Sequence, residues 1–337
     1  MTMSFEKVLG QSRSKRFLQQ IGRTGHLPHA LLFSGMEGIG KTALAFEFAK
    51  LVNCPEFDGL DACDRCASCR KADSGHHPDL LWVRSDGMFI KVDQIRELRR
   101  QTRFRPFEGR RRVIILADAQ NLREEAGNAL LKLLEEPPDR HLFILTVLEP
   151  QMLLPTIVSR CCHVRLQPLE DELIRDHLVA RLDIPAPVAR DVTRLCGGSL
   201  ERARWLTEDG RLAHWKEILE TAQRLRRLSF FDLFDLTARW ALKKEDLEQD
   251  LECIKLWVRD LVLCRLSDSE ASTFDLDDDL RRIARNLDAE DLFSLYDTIE
   301  QALQRFRLNA NRQLTLEGVC LAIKDILNGQ GSRNTLS

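Results

Sequence analysis

Eight consecutive residues near the start of the chain read GMEGIGKT and match the pattern G-x-x-x-x-G-K-[ST] in full. Glycines at this spacing let the backbone wrap so that successive N–H groups point inward at an anion. A lysine here can neutralise phosphate oxygens, and the following hydroxyl can ligate Mg²⁺. The apolar run ALLFS precedes the segment and helix-forming residues follow it. The pattern therefore predicts a nucleotide phosphate loop with bound Mg²⁺, built from Gly35, Gly38, Gly40, Lys41 and Thr42.

A second carboxylate for the metal is expected from Asp118, which ends the hydrophobic run RVIILAD. A competent ATPase usually has a glutamate directly afterwards to position the attacking water. Here the next residues are Ala119 and Gln120. A glutamine can orient water without accepting its proton, which would permit slow turnover. The sequence favours nucleotide binding with weak or no hydrolysis.

Four of the ten cysteines fall within sixteen residues, in two overlapping C-x-x-C spacings after an isolated first cysteine. Zn²⁺ prefers four tetrahedral ligands, and four thiolates without histidine or carboxylate form a closed, structural site. The alternative is a loop of reduced cysteines, although thiols in small exposed loops are seldom kept unless something binds them. The predicted zinc ligands are Cys54, Cys63, Cys66 and Cys69.

Two neighbouring features have simpler interpretations. His76 and His77 could in principle replace a thiol, but HHPD is typical of a turn that leads into the next strand. Cys161 and Cys162 lie on an apolar stretch, so burial explains them. The zinc site is therefore predicted from the four clustered cysteines alone.

Seven arginines lie between Arg99 and Arg112 against one acid, Glu108, which gives a local charge of 7 − 1 = +6. The whole chain carries −2 and has no basic field of its own, so any contact with nucleic acid must be local. Arginines in such a segment can neutralise phosphates. They can equally pair with acids on a partner or cover a solvated helix. The candidate DNA contacts are Arg99, Arg100 and Arg103.

Short apolar runs alternate with helical patterns between residues 28 and 164, which predicts a parallel α/β sheet covered by helices on both faces. After Pro187 there is no proline, and between Gly210 and Gly318 there is no glycine, so the C-terminal third is predicted to be all helical. An apolar stripe at helical spacing, expected to face a bundle core or a partner, consists of Leu292, Leu295, Tyr296, Ile299, Leu303 and Phe306.

A chain of 337 residues is long enough for two or three domains. The predicted boundaries are a nucleotide-binding domain at 1–166 with its zinc insertion at 54–69, a helical lid at 167–208, a helical collar at 209–328 and a tail at 329–337. The start of the chain does not resemble a signal peptide, and no uncharged run approaches the roughly 18 residues of a membrane span. We therefore expect a cytoplasmic protein without membrane contact.

The order of these elements resembles the bacterial clamp-loader branch of the AAA+ ATPases, the group of DNA polymerase III subunits that includes the gamma/tau and delta-prime types. The resemblance covers residues 5 to about 165 and continues more weakly towards the C-terminus. It is carried by the phosphate loop, the four-cysteine insertion, and the segments GHHPDLL, IKVDQIRELRRQTRFRPFEGRRRVIILADA, NALLKLLEEPPDRHLFIL, LLPTIVSRCC, GGSLERA and RLNANRQLTLEGVCLAI.

The resemblance implies roles for five further residues. Val8 and Gly10 would lie at the adenine pocket, and Thr146 would match the polar residue that senses the γ-phosphate. Arg202 would match the arginine of the lid. Arg160, in the segment SRC, would match an arginine finger that reaches into the ATP site of a neighbouring subunit. An arginine that merely ends a surface loop is the alternative for Arg160.

The same resemblance implies a hetero-pentamer with gamma/tau motor subunits and a delta subunit, which opens a ring-shaped sliding clamp and closes it on primer-template DNA. The absence of a glutamate after Asp118, and of a long tail after the collar, favours a delta-prime-type subunit. The intact phosphate loop points the other way, because some delta-prime subunits have lost theirs. A gamma/tau-type motor and a zinc-stabilised nucleic-acid-binding module are the alternatives. No acidic pair suited to polymerase chemistry is apparent.

Overall fold

The computed structural model of the chain describes four stretches, residues 4–242, 246–266, 278–307 and 310–330. Most of the predicted tail, 331–337, and three stretches of the predicted collar, residues 243–245, 267–277 and 308–309, lie outside the described residues.

The chain forms two compact units. The first contains Met1–His177 with Gly198–Arg202, and the second contains Leu178–Gly197 with Ala203–Ser337. The predicted lid of residues 167–208 contributes to both units, so its boundaries remain a prediction.

The first unit is built on one five-stranded parallel sheet with the strand order β2-β3-β4-β1-β5. The three central strands, β3, β4 and β1, are buried along their whole length, as expected for a sheet that is covered on both faces. Their apolar runs are the ones that predicted the sheet. The strands are β1 Ala30–Ser34, β2 Leu80–Val83, β3 Arg112–Leu116, β4 His141–Val147 and β5 Cys162–Arg165.

Two hydrophobic layers cover the sheet. Phe33 and Phe48 lie in one layer, and Leu130 and Phe143 lie in the other. This arrangement confirms the predicted α/β class. The helices of the unit are α1 Ser12–Thr24, α2 Lys41–Asn53, α3 Ala67–Asp73, α4 Val92–Gln101, α5 Glu124–Glu135, α6 Pro155–Val158 and the first part of α7 Asp171–Leu182.

The sequence did not predict strand β5. Its residues read CHVR, and Val164 alone among them is buried, because β5 is an edge strand that pairs only with β1. Cys162 lies on this strand and Cys161 precedes it, and both are half-buried against the hydrophobic layers. Their apolar surroundings agree with the interpretation that these two thiols are packed.

The described part of the second unit consists of helices and loops, which confirms the predicted all-helical C-terminal region. Leu292, Leu295 and Ile299 of the predicted stripe are fully buried, where α14 packs against α12 and α15. The stripe therefore belongs to a bundle core. The helices are α8 Ala186–Cys196, α9 Leu200–Leu206, α10 Arg211–Arg224, α11 Phe230–Ala241, α12 Leu247–Leu266, α13 Asp278–Asn286, α14 Ala289–Arg307 and α15 Arg312–Leu327.

Local sequence signals fix where these helices begin. The Ser229 hydroxyl accepts a hydrogen bond from the backbone N–H of Asp232 at 3.1 Å at the start of α11. The Asn311 side chain accepts one from the N–H of Leu314 at 3.0 Å at the start of α15. Each such cap satisfies a backbone donor that has no partner within the helix. None of the helices in the described stretches combines the length and apolar content that a membrane span requires.

Candidate functional site

The phosphate-loop segment connects the end of β1 to the start of α2. Gly38 and Gly40 have φ of 74° and 95°, the left-handed region that favours glycine. Lys41 is only 6% exposed. Its Nζ donates to the carbonyl oxygens of Gly35 at 2.7 Å and Met36 at 2.8 Å. The ammonium group is therefore folded over the loop, at the N-terminal end of a helix where an anion is favoured.

The charges around Lys41 are mainly negative. Burial lowers the pKa of Lys41, and the carboxylates of Asp118, Glu37 and Glu201 act against that shift. Three acids beside one buried ammonium do not suit a triphosphate by itself. They suit a triphosphate that is bound together with a divalent cation, whose charge offsets the acids. The donor set therefore fits Mg²⁺ and a nucleotide.

Asp118 and Thr146 meet at the same edge of the sheet. Asp118 follows β3, is exposed, and adopts a left-handed φ of 53°. Its backbone N–H donates to the Thr146 hydroxyl at 3.0 Å. Thr146 lies fully buried on β4, the strand between β3 and β1. The carboxyl ends of three adjacent strands thus bring Asp118, Thr146 and the phosphate loop together, at the edge where ligands bind in parallel sheets.

The residues after Asp118 are turned inward. Ala119 is fully buried. Gln120 is half-buried, and its side-chain oxygen is inaccessible to solvent and makes no hydrogen bond to any described residue. In this conformation the amide oxygen is withheld from solvent and is not placed to orient a water molecule.

Residues 198–202 close over the phosphate loop. The backbone N–H of Glu201 donates to the carbonyl of Gly38 at 3.2 Å, and the N–H of Arg202 donates to the Ser199 hydroxyl at 3.2 Å. A Cβ added at Gly38 would lie 2.1 Å from the Ser199 oxygen. Arg202 was singled out in the sequence, whereas Ser199 and Glu201 were missed. Their contact joins residues about 160 positions apart and leaves no local signal.

The predicted adenine-pocket residues lie beside this loop. Val8 is buried, and its Cγ1 would be 3.5 Å from a Cβ added at Gly40. Gly10 has a φ of 63°, and a Cβ there would lie 2.7 Å from Leu169. A cavity of about 730 Å³ lies beside Gly10, within the size range of small-molecule sites. Its walls include Gln11, Phe17, His163, Arg165, Leu169 and Leu173.

Arg160 lies apart from these residues, between α6 and β5. Its side chain is 34% exposed. One guanidinium nitrogen lies 2.8 Å from Oε1 of Glu135, and another donates to the carbonyl of Thr156 at 2.9 Å. Arg160 is therefore a surface residue whose guanidinium is held in one orientation by Glu135 and Thr156. Glu135, at the end of α5, was not predicted to be its partner.

The four clustered cysteines converge in the structure. Their sulfur atoms all lie within 4.8 Å of one another. Tetrahedral Zn–S bonds of about 2.3 Å place sulfur atoms about 3.8 Å apart, so the group needs little adjustment to hold Zn²⁺. The thiols also accept hydrogen bonds from backbone N–H groups of the same loop at 3.3–3.4 Å, from Cys63 to Cys54, from Cys66 to Cys63 and from Cys69 to Cys66.

Both ring nitrogens of His77 make hydrogen-bond contacts with neighbouring residues. Its Nε2 lies 3.0 Å from the Ser68 hydroxyl, and its Nδ1 accepts the backbone N–H of Asp79 at 3.1 Å. This geometry agrees with the interpretation of HHPD as a turn.

A charge network lies beside the cysteine loop. The Lys50 side chain is fully buried, and its Nζ contacts Asp64 at 2.5 Å, Asp73 at 2.7 Å and Glu47 at 3.2 Å. Burial alone would lower the pKa of Lys50, but hydrogen bonds to Asp64 and Asp73 raise it above its ordinary value. Lys50 therefore stays charged and ties α2 to the insertion.

The basic segment divides into a buried part and an exposed part. Arg112 is buried, and its guanidinium contacts Asp79 at 3.0 Å, so it is not available to a phosphate. Arg99 and Arg103 are exposed and line a groove of about 430 Å³ between α4 and α5, together with Lys132. Arg100 is exposed and paired with Glu97.

Asp79 shapes the loop that carries the remaining arginines. It is fully buried and accepts the backbone N–H groups of Phe107, Glu108 and Gly109, each at 2.8 Å. This role of Asp79 could not be predicted from the sequence, where HHPD indicated only a turn.

The sheet order, the phosphate loop and the acid at the end of β3 define an α/β domain of the P-loop type. The family described as "DNA polymerase III, delta subunit" matches residues 10–170. The delta-prime subunit of DNA polymerase III from Bacillus subtilis (strain 168) is 28% identical over 320 residues, which cover 94% of this chain and 96% of that protein.

Two further relatives are of the gamma/tau type. The tau subunit from Escherichia coli (strain K12) is 36% identical over 175 residues, which cover 52% of this chain and 27% of tau. The crystal structure of a gamma subunit-related protein from Thermotoga maritima superposes with a TM-score of 0.43 at 21% identity, over 92% of this chain and 99% of that one. The chain is thus similar to the delta-prime and tau subunits of DNA polymerase III, and the delta-prime relative matches it over nearly its whole length.

Proposed function

We propose that this chain is the delta-prime-type subunit of a clamp loader, and that it supplies Arg160 to the ATP site of a neighbouring gamma/tau motor subunit. In the loader it would assemble with these motor subunits and a delta subunit to place a sliding clamp on primer-template DNA. The observation that carries the proposal is the match to a delta-prime subunit over nearly the whole chain, together with a partly exposed arginine in the segment SRC that Glu135 and Thr156 hold in place.

The chemistry of Arg160 follows from its fixed charge. A guanidinium stays protonated and presents planar donors that match phosphate oxygens. Placed where negative charge develops on the transferred phosphoryl group, it lowers the barrier in the neighbouring site. The hydrogen bond to the Thr156 carbonyl limits the conformations of the side chain. That restriction reduces the entropy lost when Arg160 engages a partner.

Within its own chain, the phosphate loop would bind ATP and Mg²⁺ with little turnover. Lys41 would contact the phosphates, Thr42 and Asp118 would hold the metal, and Val8 and Gly10 would contact the adenine. Thr146 and Arg202 would lie near the terminal phosphate. Weak turnover is supported by the buried Ala119 and by the inaccessible oxygen of Gln120.

A local contact with the DNA backbone is part of the same proposal. It is supported by the groove that Arg99, Arg103 and Lys132 line between α4 and α5. Because Arg100 is paired with Glu97, its contribution would require that exposed pair to open. Replacing Arg99 with Ala should lower the affinity of the assembled loader for primer-template DNA and reduce the slope of log K against log salt by about 1. An unchanged slope would exclude this contact.

The four cysteines would hold one structural Zn²⁺, which agrees with their convergence and with the lack of a non-cysteine ligand in the group. Zinc here would stabilise the insertion and take no part in ATP hydrolysis.

The decisive experiment is reconstitution with gamma/tau and delta subunits. The wild-type chain should co-purify with them, and Arg160→Ala should assemble equally well while hydrolysis at the adjacent site falls by about 10³-fold or more. Arg175→Ala is a matched control, because Arg175 is also exposed and paired with an acid, Glu172 at 3.4 Å. Equal ATPase rates for both variants would reject the arginine-finger role. A chain that never joins the complex would reject the clamp-loader assignment.

A further inference from the structure

The cysteine loop is joined to the start of the chain. The backbone N–H of Phe5 donates to Oδ2 of Asp61 at 2.6 Å, and both residues are buried. Nζ of Lys7 lies 2.7 Å from Oδ2 of Asp64. These two contacts join the insertion to the single turn of 3₁₀ helix at Ser4–Lys7. A charge-assisted bond to a buried carboxylate is among the stronger contacts that a backbone N–H can make.

Both carboxylates belong to the part of the chain that the metal would close. Asp64 lies between two of the cysteines and has a left-handed φ of 55°, which a side-chain-bearing residue keeps only when its surroundings hold it there. Asp61 lies two residues before Cys63, and its Oδ1 accepts the N–H of Ala62 at 2.8 Å. The closure of the loop around its four thiols therefore sets where the two carboxylates point.

The start of the chain leads directly to the nucleotide pocket. The backbone N–H of Val8 donates to the carbonyl of Phe5 at 3.2 Å, so the turn that holds Phe5 also holds Val8. Val8 is 3% exposed and packs beside Gly40 of the phosphate loop. Its carbonyl accepts a hydrogen bond from Lys15 of α1. A displacement of Phe5 would therefore displace a wall of the pocket.

Helix α1 has a second connection to the insertion. Nε2 of Gln19 donates to the carbonyl of Leu60 at 2.9 Å, and Arg23 donates to the carbonyl of Gly59. The insertion thus contacts the chain both before and after Val8, and it holds the adenine-side segment at two places.

We propose that the four-cysteine insertion positions the nucleotide pocket: through Asp61 and Asp64 it holds the turn at Phe5–Lys7 and fixes Val8 against the phosphate loop. Asp61 is the positioning residue, since its carboxylate acts on the phosphate loop through Phe5 and Val8. The effect on nucleotide affinity rests on the ATP binding proposed above, whereas the effect on the turn does not.

The test compares Asp61→Ala with Asp61→Asn, which keeps one acceptor oxygen for the Phe5 N–H. Zinc content, hydrogen exchange of the amides of residues 5–8, and affinity for a fluorescent ATP analogue are measured on the full chain. Asp61→Ala should keep its zinc, exchange these amides at least tenfold faster and bind the analogue about tenfold more weakly, the factor expected for a hydrogen bond to a charged group. Asp61→Asn should recover most of both losses.

Two further measurements make the outcome decisive. Removing zinc from the wild-type chain with a chelator should reproduce the faster exchange at residues 5–8, and Lys7→Ala, which breaks a partly exposed ion pair, should give a smaller change in the same direction. Asp86→Asn, which removes an exposed carboxylate elsewhere, is the control and should change neither quantity. Unaltered exchange after zinc removal would overturn the inference.

Separate measurements test the proposed ATP binding and the proposed positioning of the turn by the insertion. A wild-type chain that binds no nucleotide would reject the proposed ATP binding, and the exchange data would still decide whether the insertion holds the turn. A chain that binds the analogue equally well before and after zinc removal would reject the coupling alone.

Discussion

The guanidinium of Arg160 lies 2.8 Å from the carboxylate of Glu135. Both side chains are partly exposed, at 34% and 48%, so water screens the pair. Exposed pairs of this kind contribute about 0–1 kcal/mol to stability. The pair therefore orients Arg160 but contributes little to the stability of the fold.

Arg160→Ala and Glu135→Gln should each change the free energy of unfolding by less than about 1 kcal/mol, and the double variant should show a coupling no larger than that. Denaturant unfolding of the four proteins measures both quantities. A loss of several kcal/mol in Arg160→Ala would mean that a drop in loader ATPase reports misfolding.

Chelation of zinc should destabilise the first unit. A structural four-cysteine site contributes its binding free energy to folding, so the melting temperature should fall by several degrees when zinc is removed. Metal analysis should find one Zn²⁺ per chain. Cys69→Ser, at a fully buried ligand, should lose the metal, whereas Cys264→Ser, outside the cluster and only half-buried, should keep it. A stable, metal-free wild-type chain would contradict the assignment.

Breaking the buried pair of Asp79 and Arg112 should be costly. Asp79→Ala leaves three backbone N–H groups without their acceptor and the buried guanidinium without its carboxylate partner, and the free energy of unfolding should drop by about 3–5 kcal/mol. Asp93→Asn, at an exposed carboxylate paired with Arg96, should change it by less than about 0.5 kcal/mol. Similar values for the two variants would show that the loop does not depend on Asp79.

The same pair should give an acid-dependent loss of stability. Burial would raise the pKa of Asp79, but hydrogen bonds from Gly109, Glu108 and Phe107 and from Arg112 hold it below its usual range. A carboxyl group with a lowered folded-state pKa contributes stability that is complete above its unfolded pKa of about 3.9 and is lost as the pH falls through the folded value. Asp79→Asn should therefore lose less stability than the wild type when the pH is lowered from about 5 to about 2.

Glu47 should respond in the opposite direction. Burial raises its pKa to about 7, despite the nearby Lys50. The fold thus prefers the protonated carboxyl group, and this contribution is complete below the unfolded pKa of about 4.3 and disappears as the pH rises through about 7. Glu47→Gln should gain stability relative to the wild type, by up to about 3 kcal/mol, between pH 5 and pH 8. A difference that is independent of pH would show that Glu47 stays ionised in the fold.

The parts of the fold that could be predicted from the sequence are those with a local cause. Apolar runs predicted β1, β2, β3 and β4, and the lack of helix breakers predicted the helical C-terminal region. Strand β5 was missed, because an edge strand of four residues buries only Val164 and has no distinctive pattern.

In the candidate site too, only the features with a local cause could be predicted from the sequence. The phosphate loop and the four cysteines are close in the sequence, so their spacing was enough to group them. The pairing of Glu135 with Arg160, the cover that Ser199 and Glu201 form over Gly38, and the removal of Arg112 from the basic surface by Asp79 all depend on tertiary contacts. No single-sequence pattern encodes them.

The phosphate-loop motif does not specify the residue at position 38. In G-x-x-x-x-G-K-[ST] it is a freely variable site, yet here the backbone is left-handed and a Cβ would overlap the Ser199 oxygen. Even alanine would have to push residues 199–201 outward. Relatives of this protein that keep the same closure should therefore be restricted to glycine at this site, and a bulkier residue there would mark a homologue whose loop stands open.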